Sequence, residues 1–280
     1  MKLAFIERLR KSNLGTKIYF FLLRHHLDSL VLPLIHRKET KKTRLFFTQN
    51  HCRLAAVSKL FTDEQSRNAF ASIVRFRQSY LRKDAPPVAD EQYFAVDVLG
   101  LSKEEVFVDC GAFNGDTARQ FVEKTQNQYI RIVCFEPDPS NFEQLAAACT
   151  DPRIVKVQAG VWSETTTLKF RNAKGSDSKV VTMESGDVIS VPVVSIDEVP
   201  ECQDATFIKM DIEGSEMNAL LGAMKVIQRN RPKLAICIYH SDEDMLRIPE
   251  HLGATLDNYS FHVRHHTPNW GETVLYAVPN

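Results

Sequence analysis

Acidic residues and glycines lie together in the stretch 106–117, which has the sequence VFVDCGAFNGDT. An apolar run ends at Asp109, and Gly111 and Gly115 follow it. Glycine lets a backbone approach a ligand because it has no Cβ, and amides at the start of the next helix are free donors. Asp116 would repel a pyrophosphate, so a cofactor with a positively charged amino-acid tail fits better. The turn therefore predicts a site for a nucleotide-like cofactor.

A second carboxylate follows the next apolar run, in the sequence FEPDP at 135–139. Glu136 lies 25 residues beyond Gly111. A carboxylate at the end of the second strand of an open α/β sheet can accept two hydrogen bonds from ribose hydroxyls, and Pro137 stiffens the turn that presents it. Such an acid serves NAD and adenosine-type cofactors equally. The alternative is that Glu136 caps the helix that begins near Asn141.

Three further carboxylates follow a third apolar run, in the sequence IKMDIEGSE at 208–216. Asp211 and Glu213 are expected at the carboxyl end of this strand, facing the same crevice as the glycine turn. An unpaired acid there is costly unless it binds something, so we predict that both acids take part in the chemistry. Glu216 opens a helix, where its charge favours the positive end of the dipole, and a structural role is expected for it.

Histidines follow two later apolar runs, at His240 and at His265-His266. Histidine transfers protons near neutral pH, so His240, and after it His265 or His266, are candidates for a general base. Each could instead be a solvated or core residue. Asp211, Glu213 and His240 could also hold a hard metal ion, but their spacing matches no known signature, and no metal is predicted.

Apolar runs that alternate with helical patterns place these residues at strand ends. Strands are predicted at 106–110, 131–135, 154–161, 206–210, 233–239, 260–264 and 273–278. Such alternation requires parallel neighbours joined by right-handed crossovers. The last two strands are too close for a helix and should pair antiparallel. The sequence therefore predicts a doubly wound α/β fold with a mostly parallel seven-stranded sheet and an antiparallel final strand.

The chain divides by composition into three parts. We predict a basic helical arm at 1–45, a helical N-terminal region at 46–100 and a domain at 101–280 that contains a β insertion at 162–195. Within the helical region, Thr62 and Gln65 have the spacing of a capping box, in which each side chain satisfies a backbone donor near the other.

Charge is distributed unevenly along a chain whose net charge is zero. Residues 1–44 carry eleven basic and three acidic residues, which leaves the rest of the chain at −8. An acidic body disfavours phosphate backbones, so no nucleic-acid partner is predicted. The basic arm could contact an anionic membrane surface, or it could pack on its own domain or a partner subunit. Its apolar runs are too short to cross a bilayer.

The six cysteines form no C-x-x-C pair. They are expected to be reduced residues, three of them in core strands, which favours a cytoplasmic, reducing compartment.

The three acidic blocks resemble, in type and order, the FkbM family of S-adenosylmethionine-dependent methyltransferases. The family pattern has an Asp-x-Gly-Ala turn with a following Gly-Asp, then Phe-Glu-Pro-Asp, then Ile-Lys-x-Asp-x-Glu-Gly-x-Glu. The corresponding blocks here are 109–116, 135–138 and 208–216, and the resemblance covers about residues 90–280. It implies a Rossmann-like class I methyltransferase fold, S-adenosyl-L-methionine as cofactor, and transfer to an oxygen of a glycan or natural-product-like small molecule.

On this hypothesis each block has a different task. The methionine part of the cofactor is expected at Asp109, Gly111, Ala112, Asn114, Gly115 and Asp116, with Asp211 beside it. The ribose is expected at Glu136 and Pro137, and the adenine at Trp162. Because a hydroxyl is a poor nucleophile, assistance to the acceptor is expected from Asp211, Glu213 and His240, and then from His265.

Two other functions are compatible with such a sheet. An NAD-dependent oxidoreductase would carry G-x-G-x-x-G, which this chain lacks, and would continue with helices in place of the antiparallel ending. A catalytically silent scaffold would keep the sheet and bind no cofactor, and the acids at Asp109, Glu136 and Asp211 disfavour it. The acceptor and the oligomeric state are not predicted.

The basic arm generates a test of membrane contact. If residues 1–44 bind anionic lipid, their deletion abolishes co-sedimentation with anionic liposomes, because the remaining chain is acidic. Equal sedimentation with and without the arm would contradict this and leave the packing alternative.

Overall fold

The computed structural model of the protein describes residues 37–171 and 188–280. Most of the basic arm lies outside the described residues, so its membrane contact stays a prediction. Residues 172–187, within the predicted β insertion, also lie outside the described residues. In the described part of the chain, no helix is both long enough and apolar enough to cross a membrane.

A seven-stranded sheet forms the centre of the protein. Its strands are β1 Val106–Cys110, β2 Arg131–Phe135, β3 Ile154–Val157, β7 Phe207–Met210, β8 Lys233–Cys237, β9 Tyr259–His265 and β10 Thr273–Pro279. They lie in the order β3-β2-β1-β7-β8-β10-β9. Neighbours from β3 to β8 pair parallel, and β10 runs antiparallel to both β8 and β9. The predicted fold class, including the antiparallel final strand, is therefore confirmed. The strand order reverses at β1, between β2 and β7.

A small second sheet contains β4 Gly160–Val161, β5 Thr166–Arg171 and β6 Val188–Val194, in the order β4-β6-β5. The predicted third strand at 154–161 is thus two strands. A turn in which the Ala159 amide donates to the Val157 carbonyl at 2.9 Å ends β3. Gly160 and Val161 then pair parallel with β6. β5 and β6 lie within the predicted β insertion at 162–195, whereas β4 precedes it.

Helices cover both faces of the central sheet. Their bounds are α1 Arg37–Gln49, α2 His51–Leu60, α3 Glu64–Ser79, α4 Asp116–Lys124, α5 Pro139–Ala148, α6 Glu216–Leu221, α7 Met224–Asn230 and α8 Asp244–Thr255. Residues from α1–α3 and α6–α8 pack on one face, whereas residues from α4 and α5 pack on the other. The alternation along β1 explains both cores: Val108 points to the first and Phe107 to the second.

Asp63 caps α3 and joins the N-terminal helices to the edge strand β9. Its carboxylate accepts a hydrogen bond from the Ser66 amide at 2.6 Å and lies 2.5 Å from His262 Nδ1 and 3.5 Å from Arg264. The predicted capping box is therefore wrong. The Thr62 hydroxyl instead accepts a hydrogen bond from the Phe261 amide of β9, at 3.2 Å. The two residues meet because the segment before α3 runs alongside that strand.

The Asp63 contacts predict a stability change that depends on pH. Burial alone would raise the pKa of Asp63, but hydrogen bonds from His262 and Ser66 and the charge of Arg264 outweigh it and hold this pKa well below its usual range. The contribution is therefore present above the usual carboxyl pKa of about 4 and is lost as the pH falls toward the lower folded value.

We expect Asp63→Ala to lower the free energy of unfolding by about 2 kcal/mol at pH 7, since a lost helix cap alone costs about 0.5–2 kcal/mol. Asp63→Asn keeps a capping oxygen and should cost less. Urea unfolding at pH 7 and pH 3 checks both variants. If either variant lost more unfolding free energy relative to the wild type at pH 3 than at pH 7, the role given to the Asp63 carboxylate would be contradicted.

Candidate active site

A cavity of about 1150 Å³ opens where β1, β2 and β7 end at their carboxyl edge. This is the point at which the strand order reverses, and open α/β sheets bind ligands there. Among the residues predicted to act in binding or catalysis, the cavity is lined by Gly111, Asp116, Glu136, Pro137, Trp162, Asp211 and Glu213. The three acidic blocks therefore meet at one site.

The turn between β1 and α4, residues 111–115, is called the first turn here. Its two glycines allow close contact with neighbouring turns and helices. Gly111 has φ +81°, and a Cβ there would lie 2.0 Å from the backbone oxygen of Asp211. Any side chain at this position would push the turns after β1 and β7 apart. Gly115 has φ +82°, and its Cβ would lie 2.7 Å from Cys149 Sγ. Gly115 thus permits packing of α4 on α5.

Two amides of the first turn that were expected to be free donors are bonded within the protein. The Gly115 amide donates to Ala112 at 2.7 Å, and the Asp116 amide donates to the Asn114 side chain at 3.2 Å. The amide of Ala112 itself donates to the Phe135 carbonyl at 3.0 Å. A pyrophosphate would find these donors occupied, so the turn suits a ligand without one. The Ala112 side chain is buried away from the cavity.

Asp109 lies beneath the first turn in a buried ion pair. Lys209 Nζ lies 3.0 Å from Asp109 Oδ1 and donates to the carbonyls of Gly111 at 2.8 Å and Cys110 at 3.2 Å. Burial lowers the pKa of Lys209, but the charges of Asp109 and Asp211 outweigh it and raise this pKa above its usual value. Asp109 therefore supports the turn and does not line the cavity.

Sequence reasoning did not assign a function to Lys209, although a signal was present. A lysine in the middle of the apolar strand at 207–210 is buried only when it is paired. The partner of Lys209 could therefore be expected among the acids at the ends of neighbouring strands, as Asp109 is.

Glu136 lies in the cavity wall with both carboxylate oxygens oriented by the backbone. One oxygen accepts from the Phe113 amide and the other from the Asp138 amide, each at 2.9 Å. Each oxygen keeps a lone pair, which ribose hydroxyls could use. Burial raises the pKa of Glu136. Asp138, not Glu136, caps α5 by accepting from the Asn141 amide at 2.9 Å, so the capping alternative for Glu136 is wrong.

Asp211 is the centre of the opposite wall. Its carboxylate accepts hydrogen bonds from the Tyr93 hydroxyl at 2.5 Å and the Tyr239 hydroxyl at 3.3 Å, and His240 Nε2 lies 3.4 Å away. Burial and the charges nearby raise the pKa of both tyrosines, so they stay protonated and donate. Neither tyrosine was assigned from the sequence. Tyr93 belongs to a loop with no motif.

Glu272 completes this wall from the start of the β10 segment. Its carboxylate accepts from Gln92 and lies 3.4 Å from the Tyr239 hydroxyl, whose single proton is shared with Asp211. Burial raises the pKa of Glu272, and the charge of Asp211 acts in the same direction. No function was assigned to Glu272 from the sequence.

Four non-glycine residues that line the cavity have left-handed backbones: Tyr93 (φ 67°), Phe113 (φ 47°), Glu213 (φ 57°) and Glu272 (φ 56°). Such conformations cost about 1–3 kcal/mol each and cluster at functional sites. The backbone thus marks the same cavity as the acidic residues do.

His240 lies behind Asp211 and is surrounded by carboxylates. Its Nδ1 is 3.0 Å from Glu216 Oε1, and its Nε2 is 3.8 Å from Glu213 Oε2. Burial lowers the pKa of His240, but the carboxylates of Glu216, Asp211 and Glu213 outweigh it and raise this pKa to about 9. The structure therefore brings Asp211, Glu213 and His240 together, as the sequence predicted.

The structure does not bring His265 to the cavity. This residue is fully buried, and its Nδ1 lies 2.8 Å from the Thr273 hydroxyl on the neighbouring strand. Burial lowers its pKa to about 4. His266 is likewise bonded away from the cavity, with Nδ1 3.0 Å from the Ala89 carbonyl. Both histidines lie at the end of β9, which is the edge strand, because β10 inserts between β9 and β8.

A doubly wound sheet with an antiparallel final strand, and a cavity at its switch point, is the architecture of Rossmann-like class I methyltransferases. The family model for the methyltransferase FkbM domain matches residues 109–263, which is more than half of the chain. The chain therefore belongs to the FkbM methyltransferase family, as its motifs predicted.

One solved structure supports this assignment. The chain is 26% identical to a methyltransferase FkbM from Methylobacillus flagellatus KT, with a TM-score of 0.71 over 83% of this chain and 60% of that one. It thus spans about three fifths of that relative. A putative methyltransferase from Streptococcus mutans, SMU.1697c, is 9% identical with a TM-score of 0.39, over 63% of this chain and 89% of that one. No curated protein matches the chain.

The buried ion pair predicts that one substitution, Asp109→Asn, has opposite effects on the free energy of unfolding in the wild type and in a Lys209→Met variant. We expect Lys209→Met to lower the free energy of unfolding by about 3–5 kcal/mol, because it leaves the Asp109 carboxylate buried without its cation. Asp109→Asn should destabilise the wild type but stabilise the Lys209→Met variant. Urea unfolding of the two single variants and the double variant measures this. Additive losses would show that the pair is not coupled.

Proposed function

We propose that the protein transfers a methyl group from S-adenosyl-L-methionine to a hydroxyl oxygen of a small, hydroxyl-rich acceptor such as a glycan or natural product. The observation that carries this proposal is the placement of two kinds of group on opposite walls of one cavity. Glu136 offers acceptor oxygens for a ribose at one wall, and Asp211 forms a cluster of carboxylates and phenols at the other. Family membership supports the reaction type.

The residues at the first wall fit the cofactor. Glu136 keeps lone pairs for ribose hydroxyls, and Trp162 lies in the same cavity as a surface for adenine. Asp116, which also lines the cavity, would attract the ammonium group of the methionine part. The bonded amides of Gly115 and Asp116 are a poor match for a pyrophosphate, which disfavours NAD.

The residues at the second wall fit an acceptor that must lose a proton. When bound, the cofactor supplies an electrophilic methyl group on a positively charged sulfur. Asp211 would hold the acceptor hydroxyl and take its proton as the oxygen–methyl bond forms and the sulfur–methyl bond breaks, since an alcohol is otherwise a poor nucleophile. Tyr93 and Tyr239 fix the Asp211 carboxylate by donating to it. Much of the remaining catalysis is positioning of the two reactants.

The size and lining of the cavity favour a second ligand beside the cofactor. Ligand pockets are typically about 300–1000 Å³, and this cavity is about 1150 Å³. Gln92 and Glu272 present an amide and a carboxylate next to the aromatic ring of Tyr239. Alternating polar and aromatic groups of this kind match a hydroxyl-rich molecule.

Calorimetric titration with S-adenosylhomocysteine, beside NAD, tests the proposal. We expect one equivalent of S-adenosylhomocysteine to bind and NAD to bind far more weakly. Glu136→Ala should weaken binding at least about tenfold, because a hydrogen bond to a charged group contributes about 1.5–3 kcal/mol. Glu143→Ala, which removes an exposed glutamate of α5, is the matched control and should leave binding unchanged.

Two outcomes would contradict the proposal. If the wild type binds neither compound, the catalytically silent scaffold becomes the better explanation of the fold. If Glu136→Ala and Glu143→Ala bind equally, the ribose lies elsewhere. Melting temperatures of both variants show whether loss of the Phe113 and Asp138 hydrogen bonds has altered the fold.

A further inference from the structure

Asp211, Glu216 and His240 form a cluster of potential metal ligands behind the second wall. One ligand atom from each residue lies within 4.8 Å of the other two. Glu216 is fully buried and the His240 side chain is only 10% exposed, whereas Asp211 lines the cavity. The cluster therefore connects the protein interior to the space in which the acceptor is proposed to bind.

Three buried polar atoms of this cluster have no hydrogen-bond partner among the described residues: Glu216 Oε2 and both ring nitrogens of His240. The ring nitrogens lie 3.0 Å from Glu216 Oε1 and 3.4 Å from Asp211 Oδ1, but without the alignment that a hydrogen bond requires. A buried polar atom without a partner costs about 1–3 kcal/mol. Coordination to a cation would satisfy these atoms.

The remaining oxygen of Glu216 is held in place by the backbone. Its Oε1 accepts from the Ile212 amide at 2.8 Å and from the Gly214 amide at 3.4 Å. Hydrogen bonds of this kind orient metal ligands in known sites. They leave Oε2 as the free ligand atom.

The charge around the cluster favours a cation. Asp211, Glu213 and Glu216 place three carboxylates next to one imidazole. The buried ammonium of Lys209 acts on Asp211 as well, but it lies 3.0 Å from Asp109 and donates to the carbonyls of the first turn, so its charge is shared with Asp109.

We propose that Asp211, Glu216 and His240 bind a divalent cation. Two carboxylates and an imidazole form a mixed set that suits Mn²⁺ or Zn²⁺ better than Mg²⁺ or Ca²⁺, which prefer oxygen ligands alone. With bonds of about 2.1 Å, ligand atoms on opposite sides of an ion lie about 4.2 Å apart. Small side-chain rotations close the present spacing of up to 4.8 Å.

At this position the cation would also help to activate the acceptor in the proposed reaction. Because Asp211 reaches the cavity, an open coordination position would face the acceptor hydroxyl and lower the pKa of that hydroxyl, as metal ions do for bound water. This consequence rests on the proposed methyltransferase function. The cation site itself is independent of it and is tested by binding alone.

Titration of the chelator-treated full chain with MnCl₂, and separately with ZnCl₂, tests the site. We expect one equivalent of cation per chain. Glu216→Gln and Asp211→Asn should each weaken binding at least about tenfold, since each removes a ligand charge. The matched control is Glu105→Gln, because Glu105 is also a buried glutamate but pairs with Lys233 at the opposite end of β1. This control should bind as the wild type does.

Two results would overturn the proposal: neither ion binds, or both ligand variants bind within twofold of the wild type. If Glu216→Gln fails to fold, judged by its melting temperature, Asp211→Asn decides the matter, since its side chain borders the cavity. Titration of the same preparation with S-adenosylhomocysteine separates the two proposals. Cation binding without cofactor binding refutes the methyltransferase function alone, and the reverse result refutes the cation site alone.

Discussion

The site depends on one buried ammonium group. Lys209 lies under the turn after β1, neutralises Asp109 and donates to two backbone carbonyls of that turn. Water cannot replace these contacts because the region is fully buried, so the position of the turn is tied to an intact charge pair. The glycine that follows then touches the backbone of Asp211. In this way an ion pair beneath the turn fixes the separation of the two walls of the cavity.

The two walls differ in how they are built. Glu136 and the first turn are held by backbone hydrogen bonds within short loops, which makes this wall rigid. The opposite wall consists of side chains from four distant segments, which meet at Asp211 and Glu272. A surface assembled from side chains can change by substitution without loss of the sheet, whereas the wall built from backbone contacts cannot.

The fold and most of the lining acids could be predicted from the sequence because each acid ends an apolar run. Strand ends of a parallel sheet meet at one edge, so spacing along the chain was sufficient for Glu136 and Asp211. Tyr93 and Glu272 could not be assigned a function, because loops carry them to the cavity and no periodic pattern describes a loop. His265 was placed wrongly at the site for a topological reason: β10 inserts between β8 and β9, and sequence order does not reveal spatial order. Asp109 was expected to contact the cofactor, but its ion pair with Lys209 shows that it supports the turn after β1 from the protein interior.

The small sheet has a consequence for the evolution of the family. Residues of β6, Ser190 to Val193, line the cavity, yet β6 pairs only with β4 and β5 among the described strands and with no strand of the central sheet. An insertion, a deletion or a change of register in this module would alter the shape of the cavity mouth while the seven central strands keep their pairing. Selection can therefore retune which molecules enter the site at a low risk to folding, and divergence among relatives should concentrate here.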